Sequence, residues 1–180
     1  MTIPNLITLV RLALVPVMAY FLLADEYGIA LIVFLAAAVS DLLDGFIARH
    51  WNLTSSLGAT LDPIADKLAM FTATVLLAYL GLLPLWLAVA IVLRDVVIIG
   101  GALAYRAAVG HIEITPTFLS KVNTFIEFTV LLVVMANAAG WIEVHGVLPV
   151  AFVIVFATVI ASGTQYVWVW GRKAAQESRR

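Results

Sequence analysis

The sequence predicts an all-α membrane protein with six transmembrane helices, and three observations carry that expectation. First, 64% of the 180 residues are hydrophobic and 12% charged, with a mean hydropathy of +1.10. A soluble domain of this size has no interior large enough to hide that much apolar surface. Second, polar or turn-forming breaks divide the chain into six apolar runs, each long enough to cross a hydrocarbon core about 30 Å thick with roughly 20 helical residues. Third, lysine and arginine gather at alternate ends of those runs, as they do when a chain threads a membrane. The length leaves room for one membrane domain, expected over residues 1–180.

The expected spans are residues 4–23, 28–50, 58–80, 84–109, 118–138 and 147–170, with breaks at 24–27, 51–57, 81–83, 110–117 and 139–146. Pro4, Pro63, Pro84 and Pro116 sit at or near helix starts, where a missing N–H costs nothing. The first run carries Arg11 in its interior. The second ends on Asp41, Asp44, Gly45, Ala48 and Arg49, and the third opens on Gly58, Asp62 and Asp66. The fourth holds Arg94, Asp95 and Arg106 together with Gly100 and Gly101, the fifth Lys121 and Glu127, and the sixth runs to a basic tail with Arg172, Lys173, Arg179 and Arg180.

Alternate threading brings Arg49, Arg106, Lys121, Arg172, Lys173, Arg179 and Arg180 to one side, with Lys67 and Arg11 leaning the same way. The opposite loops, at 24–27, 81–83 and 139–146, contain no lysine or arginine. The positive-inside rule then makes both termini cytoplasmic. Tyr27, Trp86 and Trp141 fall at the outer interface and Trp51, Tyr105, Trp168 and Trp170 at the inner one, an aromatic belt. No basic residue precedes Arg11, no small-residue cleavage site precedes Asp25, and no Arg- and Ser-rich leader opens the chain. A removable signal or transit peptide is therefore not expected, and the expected location is a bacterial cytoplasmic membrane. Cysteine is absent, which removes disulfides and thiolate chemistry and leaves oxygen and nitrogen ligands for any active site.

An intramembrane carboxylate is costly and so marks function. Asp41 and Asp44 are three apart and Asp62 and Asp66 four apart, so each pair shares one helix face. A short break makes the two helices antiparallel and lets both pairs face one cleft at the cytoplasmic end. Four carboxylates repel strongly unless cations are bound, and oxygen-only ligands suit Mg²⁺, Mn²⁺ or Ca²⁺. Gly45 and Gly58 flank the same face and admit a ligand closely, while Arg49 supplies a fork donor for phosphate. The set points to a metal-bridged phosphate substrate. A buried ion-pair cluster with Arg49 and Lys67 is the plainer alternative, but four acids need more cation than that. A small cation carrier is the alternative from another class, and the confinement of all four acids to one end speaks against it.

Asp41, Asp44, Gly45, Ala48, Arg49, Gly58, Asp62 and Asp66 reproduce every fixed position of the signature of the CDP-alcohol phosphatidyltransferases, and the chain resembles that family. The resemblance implies six helices around a polar cytoplasmic-side cavity, often in a homodimer. It implies transfer of a phosphatidyl group from CDP-diacylglycerol to an alcohol with release of CMP. Asp41, Asp44 and Asp62 would hold a divalent metal, Mg²⁺ or Mn²⁺. Asp66 would be the general base and a further metal ligand, and Gly45, Ala48, Arg49 and Gly58 would line the CDP site.

Within the family the chain is most similar to the CMP-forming cardiolipin synthases. The similar stretches are Thr2-Ile3-Pro4-Asn5 leading to Arg11, SDLLDGFIARHW at 40–51, Arg94-Asp95-Val96 followed by Arg106, PTFLSKVNT at 116–124, and Gly171-Arg172-Lys173. This implies phosphatidylglycerol as the phospholipid acceptor, with no nucleic-acid partner. The alternative is glycerol 3-phosphate as acceptor, since phosphatidylglycerophosphate synthases share the architecture but typically carry Arg-Glu at the place of Arg94-Asp95. Phospholipase D-type chemistry needs a histidine two residues before a lysine, and His50, His111 and His145 are followed there by Asn52, Glu113 and Val147.

Arg94, Arg106, Lys121 and Arg11 are the candidates for acceptor or phosphate binding. Each has a plainer reading: Arg94 paired with Asp95, Arg106 and Lys121 as interfacial anchors, Arg11 snorkelling to the interface. Adjacent helical residues do not face each other, which favours Arg94 reaching into the cavity. Gly100 and Gly101 are expected to allow close helix packing, and Glu127 has no assigned role.

Overall fold

A computed structural model describes residues 3–51, 56–109, 117–144 and 146–177, with side chains for 8–40, 67–101, 117–144 and 146–169. Among the described residues there are six helices and no strands: α1 (Ile3–Leu23), α2 (Tyr27–Trp51), α3 (Ser56–Tyr79), α4 (Leu85–Val109), α5 (Phe118–Ala138) and α6 (Leu148–Glu177). Five match the apolar runs closely. The sixth continues to Glu177, past the apolar end at 170 and through Gly171, because Arg172, Lys173, Ala174 and Ala175 are good helix formers that outweigh one glycine. Pro63 lies about two turns inside α3 rather than near its start, and Pro16 likewise sits inside α1. Interior prolines are tolerated in helices packed among other helices in lipid. Pro116, His111, His145, Arg179 and Arg180 lie outside the described residues.

The three loops without lysine or arginine all close in one way. Past α1, Glu26 N–H reaches Phe21 C=O and Asp25 N–H reaches Leu22 C=O. Past α3, Leu82 reaches Leu77 and Gly81 reaches Ala78, and past α5, Trp141 reaches Ala136 and Gly140 reaches Asn137. These are Schellman caps, which need a left-handed residue at the turn. That residue is Gly81 (φ 72) and Gly140 (φ 72) in two loops and Asp25 (φ 60) in the first. Asp25 also accepts a 2.6 Å hydrogen bond from the Tyr27 hydroxyl. Pro84 C=O accepts from Leu87 and Ala88 N–H and so opens α4. Trp141 lies over Gly28, where a Cβ would stand 3.1 Å from its ring.

The chain divides into two units, Met1–Leu83 with Leu131–Val144, and Pro84–Val130 with His145–Arg180. In the first, α1 packs against α2 and α3, and α2 meets α3. Its core is Val15, Met18 and Leu22 of α1, Ala30, Leu31, Phe34 and Ala37 of α2, and Ala69, Ala73 and Leu77 of α3, each set at helical spacing. In the second, α4 packs against α6, and Leu87, Ala88 and Ile91 of α4 and Phe152, Val155 and Val159 of α6 are buried.

On four helices the buried stripe changes character along its length. On α1, Thr8 and Arg11 precede Val15; on α4, Ile91 gives way to Arg94; on α6, Val159 gives way to Ser162; on α5, Ser120, Asn123 and Glu127 precede Val130. Polar burial thus falls at the start of α1 and α5 and towards the end of α4 and α6, the ends that alternate threading assigns to the basic side.

The outward faces are apolar, with Leu85, Phe118, Phe125, Val153 and Val167 among the exposed side chains. Among the described residues two helices are long and apolar enough to cross a membrane, Phe118–Ala138 and Leu148–Val169, with 39% and 28% of their apolar windows buried. A core helix of a soluble protein would be mostly buried. Thr8–Leu23, Tyr27–Ser40 and Lys67–Tyr79 are shorter apolar stretches within their helices.

Candidate active site

Asp41, Asp44, Gly45, Ala48 and Arg49 lie in the last turns of α2, and Gly58, Asp62 and Asp66 in the first turns of α3. At about 100° per residue, each aspartate pair falls within about 60° of one face of its helix. The two helices touch. The side chains of these eight residues, and that of Arg106 on α4, lie outside the described residues. Among the described residues no group of three or more His, Asp or Glu forms a metal cluster. Lys67, next to Asp66, is exposed.

Arg11 is 1% exposed on α1, with Thr8 one turn before it equally buried. Its guanidinium is held inside the protein and does not snorkel to the surface. Lys121 on α5 is exposed.

Arg94, 5% exposed, is the centre of a polar cluster in the second unit. Its Nη1 donates to Asp95 Oδ1 at 2.8 Å. Its Nη2 donates to Ser120 Oγ of α5 at 2.6 Å and to Ser162 Oγ of α6 at 2.9 Å. One guanidinium therefore ties α4 to both other helices of the unit. The neighbouring pair does form, against the expectation from helix geometry, because the long arginine stem can fold back beside the adjacent carboxylate. Arg94 thus has three protein partners at once, and Nε alone of its nitrogens is buried without one.

One turn beyond Ser120, Asn123 is fully buried; its Nδ2 donates to Glu127 Oε2 at 3.4 Å, and its Oδ1 has no partner. One turn beyond Ser162, Gln165 Oε1 is likewise buried without a partner. Ser120, Asn123, Ser162 and Gln165 were not legible as site residues. Ser120 and Asn123 fall within the 116–124 stretch without being singled out there, and the signal for Ser162 and Gln165 was their recurrence at helical spacing along an otherwise apolar run.

Around Gly100 and Gly101 a Cβ would meet nothing within 4 Å, so no described residue packs closely against these glycines. A Cβ added at Gly163 would stand 3.7 Å from Arg94 Cγ, at ordinary contact distance.

Comparison with known proteins adds a family and several relatives. The family model described as CDP-alcohol phosphatidyltransferase matches residues 1–169. The chain is 35% identical to the human protein named Cardiolipin synthase (CMP-forming), over 97% of this chain and 63% of that protein. It is 36% identical to the protein of the same name from Streptomyces coelicolor, over 79% of this chain and 69% of that protein. A Schizosaccharomyces pombe protein named Cardiolipin synthase (CMP-forming) / mitochondrial hydrolase fusion protein is 35% identical, over 92% of this chain and 30% of its own length. The chain thus spans a little under two thirds of the human relative's length.

Proposed function

Since the chain belongs to the CDP-alcohol phosphatidyltransferase family, we propose that it is a metal-dependent membrane enzyme that transfers the phosphatidyl group of CDP-diacylglycerol to phosphatidylglycerol, giving cardiolipin and CMP. The observation that carries the reaction is the set of eight signature residues on two touching helices. The choice of acceptor rests on the names of the relatives and on Arg94-Asp95 and the 116–124 stretch.

In this reading Asp66 is the general base. It takes the proton from the acceptor hydroxyl as that oxygen bonds to the phosphatidyl phosphorus, and the bond from phosphorus to the CMP oxygen breaks in line. No covalent enzyme intermediate is needed. Asp41, Asp44, Asp62 and Asp66 offer only carboxylate oxygens, a donor set that fits Mg²⁺ or Mn²⁺. A divalent ion bound there would neutralise charge on the diphosphate and on the leaving CMP. Gly45, Ala48, Arg49 and Gly58 line the CDP site, with Arg49 as the phosphate fork. Arg11, Arg94, Arg106 and Lys121 supply positive charge for the anionic acceptor.

The proposed setting is a bacterial cytoplasmic membrane crossed six times, with both termini cytoplasmic, a polar cavity open to that side and a homodimer as the working unit. The absence of lysine and arginine from the loops at 24–27, 81–83 and 139–146 and the apolar outer faces support it. A single membrane domain over 1–180 is supported by a family match that runs through both units.

The test is CMP release from CDP-diacylglycerol by purified protein in detergent. Release should require both an alcohol acceptor and Mg²⁺ or Mn²⁺, and should stop on addition of EDTA. CMP release without an acceptor contradicts direct transfer, and undiminished release in EDTA contradicts the metal. Cation transport without CMP release would favour a carrier.

A further inference from the structure

Arg11 is 1% exposed in the first unit, and a buried guanidinium has to be matched by an anion close to it. The acidic residues of that unit fall into two groups. Asp25 and Glu26 close the turn from α1 to α2, and Glu143 stands two residues past Trp141, which lies over Gly28 at the same end. The other group is Asp41, Asp44, Asp62 and Asp66. Helix register decides between them. Arg11 comes fifteen residues before Glu26 and Asp41 fifteen after it, so on the antiparallel α1 and α2 both stand about 22 Å from the turn. Asp66 comes fifteen residues before Gly81 and Arg11 fourteen before Asp25, the left-handed residues that end α3 and α1 with the same cap.

The buried stripes arrive at the same level. On α1, Leu22, Met18 and Val15 continue to Arg11; on α2, Ala30, Phe34 and Ala37 continue at the next helical step to position 41; on α3, Leu77, Ala73 and Ala69 continue to position 66. α1 packs against both of the other helices. This register sets Arg11 level with positions 41 and 66, and buried Thr8, one turn away, level with positions 44 and 62. Resting on the reading of the four aspartates as a divalent-metal site, we propose that Arg11 is the resident counter-cation of those carboxylates, a positioning residue that holds Asp41 and Asp66 together and reduces the negative charge a metal ion meets. This role is additional to the positive charge it lends the acceptor. A guanidinium fixed in the core cannot leave when metal arrives, so the two cations repel across shared carboxylates. Removing the Arg11 charge therefore strengthens metal binding while it loosens the carboxylates that turnover needs.

The probe is Mn²⁺ alone, titrated into the full-length protein in detergent without either lipid substrate, with the free ion counted by electron paramagnetic resonance. Arg11→Gln should bind Mn²⁺ at least about fivefold more tightly than the wild type, the effect of one charge on a nearby divalent ion even in water. Arg11→Lys keeps the charge and should stay within about twofold of the wild type. Mn²⁺ should also raise the unfolding temperature of Arg11→Gln by more than it raises that of the wild type, and CMP release by Arg11→Gln should fall although its metal is held more tightly. Unchanged or weaker Mn²⁺ binding in Arg11→Gln overturns the proposal, and so does an Arg11→Lys protein that binds as Arg11→Gln does. An Arg11→Gln protein that fails to fold even when prepared in Mn²⁺ overturns it as well, because the metal should replace the missing cation. Absence of Mn²⁺ binding by the wild type overturns the metal reading beneath it.

Discussion

Asp66 is the residue on which the proposed chemistry turns, because it is the carboxylate assigned to move a proton. Asp66→Asn preserves size and removes the base, so turnover should fall by at least about 10²-fold, the lower end of what a positioned base contributes. Binding of CDP-diacylglycerol should remain measurable, and a variant that turns over at the wild-type rate contradicts the assignment. Arg94 makes a different prediction. Arg94→Met keeps much of the volume but removes the ion pair to Asp95 and the hydrogen bonds to Ser120 and Ser162, a loss of about 3 kcal/mol read as a lower unfolding temperature in detergent. Arg94→Lys should recover only part of it, since one ammonium cannot reproduce the fork; full stability in Arg94→Met would mean the cluster carries no structural load. At this scale the sequence exposes the aspartates because each is expensive where it stands. It hides Ser120 and Ser162 because small polar residues in apolar helices are usually satisfied by their own backbone, as Ser40 is by Ala36, Thr129 by Phe125 and Thr164 by Ile160. Only the fold distinguishes those from the ones that reach across.

The helices themselves were legible nearly to the residue wherever a glycine, a proline or a charged loop ended the apolar run. The Schellman caps explain why. Gly81 and Gly140 occupy left-handed positions, so they mark the turn both in sequence and in space. Asp25 occupies the same position in the first loop without being a glycine, and α6 outruns its apolar stretch, so each was less clear in advance. A paired measurement tests the backbone argument. Gly81→Ala meets no neighbouring atom within 4 Å but must hold φ 72, so it should cost about 1 kcal/mol. Gly100→Ala, in open space within α4 and at ordinary helical φ, should instead stabilise by roughly 0.5–1 kcal/mol. Unfolding temperatures that move in the same direction would contradict the account of these turns, and a destabilised Gly100→Ala would reveal a close contact at α4.

For the whole molecule the decisive pattern is polarity sorted along individual helices: buried Thr8 and Arg11 precede the apolar core of α1, buried Ser120 and Asn123 precede that of α5, buried Arg94 and Ser162 follow the apolar stretches of α4 and α6, and apolar side chains lie outside. The division into two units left no trace in composition, since α5 contributes to both without a break. The absence of cysteine makes the proposed threading directly testable. A single cysteine at Glu143 should react with a membrane-impermeant maleimide added outside intact cells, while one at Lys173 should react only after permeabilisation; the reverse pattern contradicts the orientation. The central claim is the identity of the reaction. Purified protein given CDP-diacylglycerol, Mn²⁺ and equal phosphatidylglycerol and glycerol 3-phosphate, with the lipid products identified by mass spectrometry, should yield cardiolipin and one CMP for each cardiolipin formed. Phosphatidylglycerophosphate as the product would contradict the acceptor, and no new phospholipid at all would contradict phosphatidyl transfer itself.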